Sequence, residues 1–179
     1  MLRVIAGKYK GRKLNAPAGD KTKPTKDMVK EALFSSLGSL YGKSFLDLFS
    51  GSGSIGIEAL SRGAESVTFV DSSSDAFEII SNNLKTIGEN RAVLNSDAIS
   101  FLSNTDEKFD IVFLDPPYHY ESIEELFKLL YSKALKKNSI VVYESAADER
   151  ISEYANGFNL IKEKKYGITK LFYFEKEEN

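Results

Sequence analysis

The four residues Asp115-Pro116-Pro117-Tyr118 follow a short apolar run and combine a carboxylate, a stiff backbone and an aromatic ring. An exocyclic amine has two donor hydrogens, and the Asp115 carboxylate and the Pro116 carbonyl can accept both. Tyr118 can stack on a base that has left its own stack. We therefore predict that Asp115, Pro116 and Tyr118 are catalytic residues that orient an exocyclic base amine. If the tetrapeptide stood alone, an ordinary proline turn would explain it.

A second motif, residues 47–56, reads Asp-Leu-Phe-Ser-Gly-Ser-Gly-Ser-Ile-Gly. It runs from a predicted strand through a glycine turn into a predicted helix, the context in which G-x-G-x-x-G indicates nucleotide binding. Gly51 and Gly53 permit a positive φ and close approach of a ligand to the backbone. The helix beyond them begins with unpaired N–H groups. The loop alone fits a dinucleotide and S-adenosylmethionine equally well, because both contain an adenosine.

Three carboxylates at the ends of predicted strands help to distinguish S-adenosylmethionine from a dinucleotide as the ligand. Asp71 follows Gly51 by twenty residues, and a carboxylate there can hold both ribose hydroxyls. Asp47 can face the ammonium of a methionine moiety but would repel a pyrophosphate. Asp97 can accept a hydrogen bond from an adenine amine, although a solvated turn aspartate explains it equally well. With the tetrapeptide, this pattern favours S-adenosylmethionine as cofactor and S-adenosylhomocysteine as product. The predicted cofactor-binding residues are Asp47, Phe49, Gly51, Gly53, Asp71, Asp97 and Ala98.

The charge of the chain is unevenly distributed. Residues 1–30 carry nine Lys or Arg and two Asp, whereas the remaining residues carry fifteen basic and twenty-four acidic side chains. A local basic block indicates a polyanionic partner bound through phosphate contacts, and a solvated basic face is the alternative. We predict nucleic-acid contacts, and the candidate RNA-binding residues are Arg3, Lys8, Lys10, Arg12, Lys13 and Lys23.

Hydrophobic patterning predicts an α/β domain with a mostly parallel sheet, because short apolar runs alternate with helical segments from residue 44 onward. The predicted strands are 45–49, 66–71, 92–95, 111–115 and 140–144, followed by an antiparallel hairpin of 158–166 and 168–174. The predicted helices are 25–40, 54–62, 74–84 and 121–135. Residues 1–24 form a basic arm with strand-like pieces at 2–6 and 13–15, and residues 25–179 form the catalytic domain.

Composition limits the possible chemistry and location. The chain has no Cys, which excludes a thiolate nucleophile and a cysteine-ligated metal. We predict no metal, and His119, the only histidine, is interpreted as a loop residue. No run of about 18 apolar residues is present, and residues 1–7 lack the apolar stretch of a signal peptide. We expect a cytoplasmic monomer without a membrane partner.

The sequence resembles the class I S-adenosylmethionine-dependent methyltransferases that modify exocyclic amines of nucleic acids. More specifically, it resembles the ribosomal RNA small subunit methyltransferase D family in residues 3–7, 11–14, 24–27, 31–34 and 58–64. The resemblance implies a Rossmann-like class I fold with a seven-stranded sheet ending in an antiparallel hairpin. It also implies methylation of guanine N2 in 16S ribosomal RNA of the small ribosomal subunit, of the guanine-966 type.

By position, this family carries the cofactor role onto Asp47, Gly51, Gly53, Asp71 and Asp97 and the guanine-binding role onto Asp115, Pro116 and Tyr118. The chain departs from the family pattern in having Lys23 and Lys30 where Arg is common. Lys retains the charge but does not make bidentate phosphate contacts.

Three alternatives remain open at this stage. Adenine N6 methylation in DNA or RNA uses the same chemistry, because both amines present similar donors. An NAD-type oxidoreductase would fit the glycine motif and Asp71 but would leave residues 115–118 unexplained. A pseudoenzyme that only binds ribosomal RNA would use the arm and not Asp115.

Overall fold

The computed structural model describes residues 2–17, 24–149, 155 and 157–177. Nine strands and five α-helices lie in these ranges, and a π-helical turn, Leu130–Ala134, joins the last helix to the strand after it. In chain order the elements are β1 (Leu2–Arg3), β2 (Lys13–Leu14), α1 (Pro24–Leu37), β3 (Ser44–Leu48), α2 (Ser54–Ser61), β4 (Ser66–Asp71), α3 (Ser74–Ile87), β5 (Ala92–Asn95), α4 (Ala98–Asn104), β6 (Phe109–Leu114), α5 (Ile123–Leu129), β7 (Leu135–Ala146), β8 (Phe158–Tyr166) and β9 (Thr169–Lys176).

Strands β3 to β9 form one seven-stranded sheet in the order β5-β4-β3-β6-β7-β9-β8. The neighbouring strands from β5 to β7 are parallel, whereas β9 is antiparallel to both β7 and β8. The predicted Rossmann-like fold with a terminal antiparallel hairpin is therefore confirmed. From β3 the chain adds β4 and β5 on one side, and it then returns to add β6 and β7 on the other side. The strand order therefore reverses between the neighbouring strands β3 and β6, and ligands of open α/β sheets bind at such a switch point.

Two apolar cores cover the two faces of the sheet. The first includes side chains of α1, α2 and α3, such as Phe34, Ile57 and Ile80. The second includes side chains of α4 and α5, among them Phe127, whose ring meets those of Tyr143, Phe158 and Phe174 edge to face. Because helices cover both faces, β3 and β6 are almost continuously apolar, as central parallel strands must be.

The arm packs against the first core through four of its apolar side chains. These are Leu2, Val4, Tyr9 and Leu14, each less than a tenth exposed. Its strands β1 and β2 pair antiparallel, with Leu2 opposite Leu14. The described part of the arm, residues 2–17, is thus a small hairpin that lies on the helical layer.

Several element boundaries differ from those predicted. Helix α4 was not predicted, because its seven residues are too few for a helical period to emerge. Helix α1 ends at Leu37 instead of residue 40, because Gly38 adopts a left-handed conformation with φ 71°. Strand β1 ends at Arg3 instead of residue 6, because the N–H groups of Ile5 and Ala6 donate to Glu58 and not to a strand. Strand β7 is longer at both ends than predicted.

No helix in the described ranges has the length and apolar character needed to cross a membrane.

Candidate active site

The carboxyl ends of β3, β4, β5 and β6 meet at one edge of the sheet, and this edge carries the predicted site residues. Asp47 lies near the end of β3, Asp71 ends β4, Asp97 precedes α4 after β5, and Asp115 follows β6. Because these four strands are adjacent and parallel, the structure brings together side chains that are far apart in sequence.

Asp47 is buried and contacts the backbone at the start of α2. Its side chain is 1% exposed, and Oδ2 accepts a hydrogen bond from the Gly56 N–H at 2.9 Å. Burial raises the pKa of Asp47 to about 8; the Gly56 N–H lowers it, while Asp115 and Asp71 raise it further. Asp115 directly follows β6, in which Phe113 is the strand partner of Asp47. The sequence indicated only a ligand role for Asp47, whereas the structure adds a contact that holds the helix start.

Cofactor binding is expected to release a proton from Asp47. A carboxyl group with a pKa of about 8 is largely protonated at pH 7, and an ammonium placed against it would lower that pKa by favouring the charged form. We expect the release of roughly one proton per S-adenosylmethionine bound near pH 7. Calorimetric binding enthalpies in buffers of different ionisation enthalpy measure this number. An Asp47→Asn variant should show no release, and no release in the unaltered protein would argue against a cation beside Asp47.

The raised pKa of Asp47 also determines how the stability of the unliganded protein changes with pH. The folded-state pKa of about 8 lies above the ordinary aspartate pKa of 3.8, so the folded state binds the proton more tightly than the unfolded state. The contribution of Asp47 to stability is therefore complete below about pH 4 and is lost as the pH rises towards 8.

Asp71 holds the turn that would receive a nucleoside. Its Oδ2 accepts from the Gly51 N–H at 2.8 Å, and its Oδ1 accepts from the Ser73 N–H at 2.9 Å. Each carboxylate oxygen has a second lone pair, which leaves acceptor capacity for ribose hydroxyls. Gly51 and Gly53 have φ values of 55° and 74°, so both use the left-handed region that favours glycine. We call residues 50–53, between β3 and α2, the glycine loop.

An aromatic pair borders the same edge of the sheet. The rings of Phe49 and Tyr120 meet edge to face with centroids 5.2 Å apart. Burial raises the pKa of Tyr120, as do the nearby carboxylates of Asp97 and Glu125. Tyr120 was not predicted as a site residue; its position two residues after Tyr118 was the available signal.

Asp97 and Ala98 open α4 at this edge. Asp97 caps the helix, since its Oδ1 accepts from the Ser100 N–H at 3.1 Å, and its side chain is exposed. Ala98 is buried in the second core. The structure thus gives Asp97 a capping role in addition to the predicted adenine contact.

The tetrapeptide presents its polar and aromatic groups to solvent. Asp115 is exposed, Pro116 is half-buried, and Tyr118 is 68% exposed. His119 follows in a turn with φ 59°. An exposed ring beside an exposed carboxylate is what stacking on an extruded base requires.

The predicted RNA-binding residues lie on the surface of the arm where they are described. Arg3 pairs with Asp27 at 3.3 Å, and Lys8 lies 3.8 Å from Glu89. The other described members, Lys10, Arg12 and Lys13, are exposed and form no ion pair with any residue in the described ranges. Lys23 lies outside the described residues.

Within the described part of the chain, no three His, Cys, Asp or Glu side chains form a group that could hold a metal ion.

Comparison with known proteins assigns the chain to a family. The family model described as conserved hypothetical protein 95 matches residues 2–175. The chain is 38% identical to ribosomal RNA small subunit methyltransferase D of Haemophilus influenzae, covering 93% of this chain and 90% of that protein. The Escherichia coli enzyme of the same name is 33% identical, with 98% of this chain and 90% of that enzyme covered. The chain belongs to the ribosomal RNA small subunit methyltransferase D family.

Structural comparison agrees with this assignment. The solved structure of the Escherichia coli protein yhhF superposes with a TM-score of 0.87 and 33% identity, covering 99% of this chain and 98% of that one. As a member of this family, the chain is an S-adenosylmethionine-dependent methyltransferase. The residues at the sheet edge are chemically suited to this cofactor, because Asp47, Asp71 and Asp97 are carboxylates near the ends of adjacent strands. Carboxylates are the acceptors that an ammonium, ribose hydroxyls and an adenine amine would need.

Proposed function

We propose that this protein methylates N2 of a guanine in 16S ribosomal RNA of the small ribosomal subunit. The observation that carries the proposal is the position of Asp115, an exposed carboxylate that directly follows β6, the strand paired with the Asp47 strand β3. Asp115 would thus be an acceptor for the target amine beside the proposed cofactor site. The relatives named as small subunit methyltransferases support the ribosomal RNA substrate.

In the proposed reaction the chain's own residues orient the target amine. S-adenosylmethionine supplies a methyl group that its sulfonium sulfur already makes electrophilic. Asp115 and the Pro116 carbonyl accept the two amine hydrogens, and Tyr118 stacks on the guanine, so that the nitrogen lone pair faces the methyl carbon. As the nitrogen–carbon bond forms, the carbon–sulfur bond breaks and its electron pair stays on sulfur. The nitrogen then loses one proton, to Asp115 or to the solvent that reaches it.

The choice of guanine rests on the family and not on the tetrapeptide, because an adenine N6 amine presents similar donors. Mass spectrometry of nucleosides from 16S RNA, with and without the gene, separates the two hypotheses. Loss of N2-methylguanosine supports the proposal, and mapping the lost site tests the guanine-966 type. Loss of N6-methyladenosine instead, or no change, would reject guanine N2 as the target.

The proposed substrate is a cytoplasmic particle, and we propose the same location for the enzyme.

The arm is expected to supply salt-dependent RNA affinity. Replacing Lys10, Arg12 and Lys13 together by Ala removes three exposed charges that form no ion pair within the described residues. Each lost phosphate contact reduces the slope of log affinity against log salt by about 0.7 to 0.9, so we expect a slope shallower by about 2 to 3 for three lost contacts. RNA-binding titrations at several salt concentrations measure the change.

A matched control replaces Lys43, Lys108 and Lys133, three exposed lysines outside the arm. This triple variant changes the net charge equally, so it should leave the slope almost unchanged. S-adenosylhomocysteine affinity should be unaltered in both variants. Equal slopes for the two variants would show that general charge, and not the arm, sets the salt dependence.

A further inference from the structure

Asn83, on α3, joins two segments that have different proposed roles. Its side chain is 1% exposed. Nδ2 donates to the Ser52 carbonyl in the glycine loop at 2.9 Å and to the Asn15 carbonyl in the arm at 3.0 Å. Oδ1 accepts from the Asn15 N–H at 2.8 Å. One buried amide therefore binds the cofactor loop and the arm at the same time.

Lys30, on α1, makes a second connection of the same kind. Its side chain is 4% exposed. Nζ donates to the Arg3 carbonyl in the arm at 2.6 Å and to Ser54 Oγ, directly after the glycine loop, at 3.1 Å. Two buried side chains on different helices thus link the arm to neighbouring residues, Asn83 to Ser52 in the glycine loop and Lys30 to Ser54 directly after it.

Buried polar groups are costly when their partners leave. If the arm moved away, Asn83 would lose its two hydrogen bonds to Asn15, and Lys30 would lose its hydrogen bond to the Arg3 carbonyl. If the glycine loop moved instead, Asn83 would lose its hydrogen bond to the Ser52 carbonyl. Each unpaired buried donor or acceptor carries a desolvation penalty that water cannot relieve at a closed site. The docked arm and the ordered glycine loop therefore stabilise each other through these two side chains.

We propose that Asn83 and Lys30 are positioning residues that couple cofactor binding at the glycine loop to RNA binding by the arm. This coupling rests on the proposed function and extends it to the order and cooperativity of binding. Cofactor that orders the glycine loop stabilises the docked arm, and RNA held by the docked arm stabilises the loop. Such coupling is reciprocal, so each ligand raises the affinity of the other by the same factor.

Hydrogen exchange of the arm, measured by NMR without RNA, tests the coupling directly. The reporters are the amides of Val4 and Gly11, which donate to Arg12 and Val4 carbonyls inside the arm. We expect saturating S-adenosylhomocysteine to slow their exchange at least about 5-fold in the unaltered protein, the lower end of typical allosteric coupling. Unchanged exchange in the unaltered protein would overturn the proposal whatever the variants do.

The variant Asn83→Ala separates coupling from simple attachment of the arm. It should still bind S-adenosylhomocysteine at a saturating concentration, but the ligand should slow arm exchange much less than in the unaltered protein. The control is Ser61→Ala: Ser61 Oγ accepts from the Tyr9 N–H and donates to the Ala6 carbonyl, holding the arm to α2 without touching the glycine loop. This control should speed arm exchange yet retain the response to ligand. An equal ligand response in Asn83→Ala and the unaltered protein would exclude Asn83.

RNA affinity with and without S-adenosylhomocysteine gives the second measurement. We expect 16S RNA or small-subunit particles to bind at least about 5-fold more tightly with the ligand, and this ratio should be smaller in Asn83→Ala, in which only the Lys30 connection remains. A ratio of one in the unaltered protein would contradict coupling to RNA. If RNA did not bind at all, the proposed function would fail, while the hydrogen exchange experiment would still decide whether the loop and the arm are linked.

Discussion

Asp115→Ala is expected to retain S-adenosylhomocysteine binding and to lose methyl transfer by at least about 100-fold, the scale of a misplaced reacting group. The substitution removes one acceptor for the target amine, whereas the cofactor contacts assigned to Asp47 and Asp71 remain. Single-turnover methylation with labelled cofactor measures the chemical step, and calorimetry measures ligand affinity. Near-normal turnover would remove Asp115 from the mechanism and would favour an RNA-binding pseudoenzyme or another acceptor.

Tyr118 provides a matched pair of variants for the same step. Tyr118→Phe keeps the ring that stacks on the base, so it should stay within a few-fold of normal turnover. Tyr118→Ala removes the ring, whose stacking on a base is worth about 1 to 3 kcal/mol, and should weaken RNA use without changing cofactor affinity. Equal losses in the two variants would assign the effect to the hydroxyl instead.

Glu58→Ala is expected to destabilise the protein by about 3 to 5 kcal/mol, the usual cost of leaving a buried charge without its partner. Glu58 is fully buried. Its carboxylate accepts from the N–H groups of Ile5 and Ala6 at 2.8 and 3.0 Å, and from Arg62 Nε at 2.8 Å. Lys30 Nζ lies 3.4 Å away, and burial lowers the pKa of Lys30 while Glu58 raises it. Urea denaturation measures the free energy of unfolding.

The control for this prediction is Glu31→Ala. Glu31 also pairs with Arg62, at 2.7 Å, but its side chain is 50% exposed. An exposed ion pair contributes about 0 to 1 kcal/mol, so this variant should change the unfolding free energy little. A loss below about 1 kcal/mol for Glu58→Ala as well would mean that water replaces Glu58 in the network.

The sequence predicts the strands well where polar turns flank a short apolar run. β4, which is mostly buried, and β5, an exposed edge strand, both have the predicted bounds for this reason. The sequence predicts the arm less well. Residues 5 and 6 have strand-like side chains, but their N–H groups bind a carboxylate on α2 that lies more than fifty residues away. Local patterning carries no information about such a partner.

In the candidate site, too, the sequence predicts contiguous motifs but not the contacts between distant residues. The glycine motif and the tetrapeptide are contiguous, so their chemistry is visible in the sequence, and the fold explains why the acids at the strand ends meet. The contacts that hold the site are not contiguous. Asp47 with Gly56, Phe49 with Tyr120, and Asn83 with Ser52 each depend on how the helices pack on the sheet.

The position of β9 between β7 and β8 has a consequence for the order in which the chain can fold. β8 is synthesised first, yet within the sheet it pairs only with β9. During translation, β7 therefore exposes an unpaired edge, and β8 has no place in the sheet until β9 emerges. Unpaired strand edges are the sites at which growing chains associate wrongly. β9 thus completes the sheet by insertion, and in a nascent chain that lacks it the β7 edge stays unpaired and β8 has no neighbouring strand in the sheet.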